Sequence, residues 1–170
     1  GNVVVPLAGA GFGYPELSWL FFSAGLMFWL VLLTLVMNRL IFHDPLPGRL
    51  IPTLVILIAP PAVAFVAWLR LTGEVDATAR ILLNAGYVFA AVVVTQLPKF
   101  RSLPFALSWW ALSFPVAALS VASVLFGCET GSDVHLGIGL ALAALLAAIV
   151  AGLAARTVLA MRRGEICRPE

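Results

Sequence analysis

The chain has 170 residues, 62% of them hydrophobic and 11% charged, with a mean hydropathy of +1.08 and a formal net charge of +2. A water-soluble domain carries about 25% charged residues; ten Lys and Arg with eight Asp and Glu cannot cover a globule of this size, which leaves an integral membrane protein. The basic residues sit at segment ends and form no patch for nucleic acid, and Cys128 and Cys167 lack the CxxC spacing of a metal site, so no nucleic-acid partner, metal or cofactor is expected.

In chain order, residues 1–12 (GNVVVPLAGAGF) are apolar and glycine-rich. They lack an initiator methionine, a basic n-region and a signal-cleavage pattern, and read as the end of a preceding, truncated helix. Charged residues then divide the chain into five uncharged stretches, 17–38, 50–69, 81–98, 102–128 and 136–155. Each is close to the ~20 residues an α-helix needs to cross a bilayer. None shows the apolar/polar alternation of a membrane strand, as LVILIAPPAVAFVAWL illustrates. The expected architecture is therefore all-α, with a transmembrane domain over 1–162, spans at 17–41, 50–70, 79–98, 103–127 and 135–161, and a polar tail at 163–170.

Loop charge orients the spans. Arg39, Arg49, Lys99, Arg101, Arg156, Arg162, Arg163 and Arg168 fall on one side, and only Arg70 and Arg80 on the other. Eight against two places the C-terminus in the cytoplasm, with Cys128 outside and Cys167 inside, so the pair cannot form a disulfide within one chain.

The uncharged stretches contain no Asp, Glu, Lys, Arg or His, the residues that mark intramembrane proton or ion relays. Ser/His/Asp, HExxH, paired-carboxylate and phosphate-loop patterns are also missing, so no enzyme is expected. His43 in HDPLP and His135 beside Asp133 read as solvated loop residues. The unusual residues are prolines: Pro60 and Pro61 in ILIAPPAVAF, and Pro115 in SWWALSFPVAA. Each removes a backbone N–H and crowds the carbonyl four residues earlier, here Ile56, Leu57 and Ala111. An orphaned carbonyl in lipid costs several kcal/mol, so these kinks should face a cavity or neighbouring helices. A plain packing kink is the simpler reading of one such span; two, the second and fourth of an alternating series, favour helices that line a shared path.

Around Pro115, the residues Trp110, Phe114 and Ala118 share a helical face, with Ser113, Ala117 and Ser120 as a small, hydroxyl-bearing stripe beside it. Trp110, Ser113, Ala117 and Ser120 are the pore-lining candidates. Trp109 is weighed equally as an aromatic of the membrane interface, and Phe100, Phe105, Trp19 and Trp68 are the better interfacial candidates. Spans two and four are expected to be inner helices, and spans one, three and five outer ones.

The stretches GYPELSWLFFSAGLMFWLVLLTLVMNRLIFHDPLP, PTLVILIAPPAVAFVAWLRLTGEVDATARIL and LPFALSWWALSFPVAALSVAS resemble the TehA family. This family joins bacterial tellurite-resistance proteins, slow-type plant anion channels and malate permeases. The resemblance covers residues 1–127, rests on APP and SWWxxxFP at this spacing, and reaches the last span by position only. It implies a fold of ten helices in five hairpins around a central pore, with proline-kinked inner helices, and homotrimers in the cell inner membrane. The five spans here would be helices six to ten, about half of that pore. The phenylalanine that closes the pore, just before the proline of the ninth helix, corresponds to Phe114 before Pro115. The implied function is passive conduction of small inorganic or organic anions through a Phe114-gated pore of the tellurite-resistance type. Alternatives are a secondary carrier for C4-dicarboxylates or oxyanions such as malate, sulfite and tellurite, or a non-functional fragment or membrane scaffold. With no Lys or Arg inside a span, anions must be selected by hydroxyls, oriented dipoles, pore width or charges at the mouths.

Overall fold

The computed structural model describes residues 1–44, 48–100 and 105–163, with side chains described at all of these except 48–50 and 99–100. The side chains of Arg49, Lys99 and Phe100 lie outside that set, as do Arg101, Cys167, Arg168 and most of the 163–170 tail. In hydrocarbon no water is available to backbone amides, so a spanning segment must satisfy them internally. The described residues accordingly form helices and no strand, and five of the helical spans are long and apolar enough to cross a membrane.

A 3-10 turn (Asn2–Val4) and a short helix α1 (Val5–Gly9) open the chain, with Val3 and Pro6 buried. They lie close against the first span, α2 (Pro15–Phe42). The contact depends on Gly25, where a Cβ would stand 2.9 Å from the backbone nitrogen of Val3. Pro15 begins α2 at a position whose N–H would be unpartnered in any case. Glu16 in the first turn and Arg39 in the last oppose the helix dipole, and the helix stops at His43, whose backbone is extended.

The second span begins as a 3-10 helix (Gly48–Ile58) and continues as α3 (Ala59–Thr72). It ends at Gly73, where a φ of +77° lets the N–H turn back to the Leu69 carbonyl, a left-handed cap that suits glycine. The third span is α4 (Ala77–Phe100). The fourth repeats the pattern of the second, with a 3-10 segment (Leu107–Leu112) followed by α5 (Ser113–Thr130), and α6 (Asp133–Arg162) is the fifth.

Burial grades these spans, with the second and fourth the most buried, the first and fifth the least, and the third between them because α4 supplies Ala79, Leu82 and Leu83 to the core. In their most apolar windows the second and fourth are 50% and 39% buried, against 11%, 28% and 11% for the first, third and fifth. The second and fourth are therefore central, and the long apolar side chains of α2 and α6 point away from the bundle. The core lies where α3, α4 and α5 meet, around Ala62, Phe65, Leu83, Leu119, Ala122 and Phe126. Trp19, Phe22 and Trp68, with ring centroids 5.6–5.9 Å apart, hold α2 against α3. Trp19 and Trp68 thus pack on each other as well as standing near span ends.

The α3–α4 turn is fixed by Asp76. Its Oδ1 accepts the Ala79 N–H at 2.8 Å and the Trp68 indole N–H at 3.0 Å, so one carboxylate caps α4 and ties it to α3. Asp76→Ala should lower stability by about 1–2 kcal/mol, the usual cost of an N-cap with a second bond added. Thermal melts in detergent would read this, and Trp68→Phe, which breaks only one of the two bonds, should reproduce only part of the loss. Equal melting temperatures for Asp76→Ala and the parent would refute the cap.

Candidate functional site

The prolines stand where the two central spans change helix type. Pro60 and Pro61 lie in the first turn of α3, and Pro115 lies in the first turn of α5. First-turn amides have no partner within their own α-helix, so a proline there forfeits little. On the other side of the junction, Ile56 and Ala111 belong to 3-10 segments. There a carbonyl pairs three residues ahead rather than four, so a proline four residues on removes no bond from it. Leu57 is the exception, since Pro60 and Pro61 stand three and four residues ahead of it and neither has an N–H to give; elsewhere the break is a change in hydrogen-bond register, with the ring set at the restart of the α-helix.

Both junctions meet one cavity of about 470 Å³ that is open to the surface. Ile56, Ala59, Pro60 and Val63 form one wall, Gly25, Phe28 and Trp29 of α2 another, and the Gly1–Val4 turn a third. Phe114 is the contribution of the fourth span. Its ring is 59% exposed although the adjacent Pro115 is fully buried, so the ring leaves the packed part of the helix. A second groove of about 540 Å³ shares Trp29, Leu32, Ile56 and Pro60 with the first and runs between α2 and the 3-10 half of the second span to Arg39 and Thr53.

The remaining candidates are placed as follows. Pro61 is fully buried in the bundle, and Ala117 and Ser113 are half-buried. The Ser113 hydroxyl donates to the Trp110 carbonyl at 2.8 Å. Trp110 and Ser120 both turn to α6. The Trp110 indole N–H donates to Thr157 Oγ1 at 3.1 Å, and the Ser120 hydroxyl, only 5% exposed, donates to the Gly139 carbonyl at 2.8 Å. The shared face of Trp110 and Phe114 presupposes one continuous α-helix; the tighter 3-10 winding through Leu112 puts the indole elsewhere.

The sequence reading had no place for Thr157, Gly139 or the polar contacts at the other end of the bundle. There the Tyr87 hydroxyl donates to Ser123 Oγ at 2.8 Å, and Ser123 donates to the Leu119 carbonyl at 2.7 Å. His135, expected in a solvated loop, is half-buried in the first turn of α6. Its ring centroid lies 4.4 Å from that of Phe126, and its Nδ1 lies 2.8 Å from Ser132 Oγ. The Arg80 guanidinium lies 5.2 Å from the Phe126 ring centroid. Cys128 is an exposed free thiol. Among the described residues no three His, Cys, Asp or Glu side chains gather as a metal would require.

Residues 1–158 match the family described as SLAC1, voltage-dependent anion channel. The chain is 31% identical to the S-type anion channel SLAH2 of Arabidopsis thaliana, over 95% of this chain and 30% of the relative. It is 28% identical to SLAH3 of the same plant, over 94% of this chain and 25% of the relative. Against the tellurite resistance protein TehA homolog of Haemophilus influenzae it is 29% identical, over 67% of this chain and 35% of the relative. The alignments thus span between 25% and 35% of the length of these relatives. With five apolar spans, two of them central and broken at proline, and a family match over nearly its whole length, the chain belongs to the SLAC1 family of anion channels and transporters.

Proposed function

We propose that these five spans are helices six to ten of a ten-helix pore that conducts small inorganic or organic anions passively, with Phe114 as its gate. The observation that carries this reading is the Phe114 ring standing exposed in a cavity it shares with the opposite proline junction at Ala59 and Pro60. Enclosed by the remaining helices of a pore, an apolar ring among apolar walls stops ions by excluding their water. Among the described residues no charged side chain lines that cavity, so anion preference comes from its mouths. Arg39, at the far end of the adjoining groove, raises the local anion concentration there. The relatives named as S-type anion channels support the substrate class, and the TehA homolog is the basis for a tellurite-resistance role. The complete protein is read as a homotrimer in the cell inner membrane, with Arg39 and the C-terminus on the cytoplasmic side.

The test is electrical. The complete protein in planar bilayers, with chloride replaced by gluconate on one side, should give ohmic unitary currents whose reversal potential follows chloride. A saturable flux that requires a proton gradient and shows no unitary currents would replace the channel with a carrier of dicarboxylates or oxyanions.

A further inference from the structure

The fourth span is fastened to α6 at two levels. In its α-helical part, Ser120 Oγ donates to the Gly139 carbonyl at 2.8 Å. Gly127 and Gly139 bring the two backbones together there: a Cβ on Gly127 would stand 2.7 Å from the Leu136 nitrogen, and one on Gly139 would stand 2.8 Å from the Val124 nitrogen. That lower contact is close and buried. At the 3-10 end, Trp110 donates its indole N–H to Thr157 Oγ1, bridging 47 residues of sequence. Trp110 also accepts, through its own carbonyl, the Ser113 hydroxyl and the Ser113 backbone N–H that closes the 3-10 segment. Ser113 immediately precedes Phe114. A 3-10 helix has poorer hydrogen-bond geometry than an α-helix and persists where its surroundings hold it. The residue that ties this segment to α6 through Thr157 is therefore also the residue on which the turn before Phe114 closes.

We propose that Thr157 is a positioning residue for the gate. By accepting the Trp110 N–H it holds the 3-10 half of the fourth span, and with it the backbone that presents the Phe114 ring to the cavity, in the blocking arrangement. The inference rests on the reading of Phe114 as the gate. Thr157 does not line the cavity, and its bond to Trp110 is the route by which it acts. Removing the hydroxyl lets the 3-10 segment rewind and the ring leave its place, which raises conductance at rest while the α-helical seam at Gly139 keeps the span attached.

Resting anion conductance of the complete protein, normalised to the amount of folded protein eluting at the parent size, tests this. Thr157→Val and Trp110→Phe, each of which deletes one partner and keeps the shape, should each raise it about three- to twenty-fold, the range that one interhelical hydrogen bond in a membrane supports. The double variant should match the single ones, because both break the same bond, and Thr157→Ser should restore the parent value. Parent-like conductance in Thr157→Val, equal effects of Thr157→Val and Thr157→Ser, or effects that multiply in the double variant would each overturn the proposal. Phe114→Ala, run alongside, separates the two readings. If it raises conductance while the Thr157 variants do not, the gate stands without this positioning residue. If it changes nothing, the gate reading fails and the positioning role fails with it.

Discussion

Phe114→Ala in the complete protein is expected to raise anion conductance by about ten-fold or more, equivalent to ~1.4 kcal/mol removed from the barrier, with almost no change in melting temperature. The two readouts together make the test sharp. A buried phenylalanine cut to alanine costs about 3–5 kcal/mol of stability. Phe114 is 59% exposed and lines the 470 Å³ cavity, so little packing is lost with the ring, whereas the proposed obstruction would be lost entirely. Phe114→Leu should fall between parent and alanine, because a smaller apolar group still excludes water. Unchanged conductance together with a lowered melting temperature would make the ring a packing element and remove the basis for the gate.

Gly139→Ala should destabilise the protein by about 1–3 kcal/mol, an effect of overpacking. The new methyl would meet the Val124 nitrogen at 2.8 Å and the Ser120 carbonyl oxygen at 3.1 Å, and backbone atoms cannot swing aside as a side chain would. Separating the helices would also break the Ser120–Gly139 bond, worth ~0.6 kcal/mol on average inside a membrane. Gly152→Ala on the same helix is the control. No atom lies within 4 Å of a Cβ there, so the change should be neutral or slightly stabilising. Equal melting temperatures for the two variants would mean that α5 and α6 are not in close contact at Gly139.

The spans and the all-α membrane class were legible because charge is so scarce: a segment without ionisable residues in a chain this apolar has one workable solvent and one workable backbone. The central position of the second and fourth spans followed from their prolines, which lipid would penalise. The form of the break was not legible. Pro60, Pro61 and Pro115 say only that an i to i+4 bond is lost; the 3-10 alternative depends on what Leu107–Leu112 meets, the Gly48–Ile58 segment on one side and α6 on the other, contacts between residues some fifty positions apart. For the same reason Trp110 could not be assigned a direction. Its face relative to Phe114 depends on the winding between them, and its partner Thr157 lies on another span. Ser120 was ambiguous because a hydroxyl in a small-residue stripe serves a water-lined wall or a neighbouring carbonyl equally well, and here it bonds the carbonyl of Gly139. His135 was misplaced because Asp133, taken as part of a loop, already begins α6.

The two 3-10 segments also give the central spans extra reach. A residue advances ~2.0 Å along a 3-10 axis and ~1.5 Å along an α axis. The segments of eleven and six residues are therefore ~5.5 and ~3 Å longer than the same residues would be as α-helix. Winding them up would shorten the centre of the bundle while the peripheral rods kept their length. Helices adapt to bilayers of different depth at a cost of fractions of a kcal/mol per Å, so a thinner lipid favours the wound form and a thicker one the extended form. The thickness of the surrounding membrane thereby bears on the two junctions at Pro60 and Phe114.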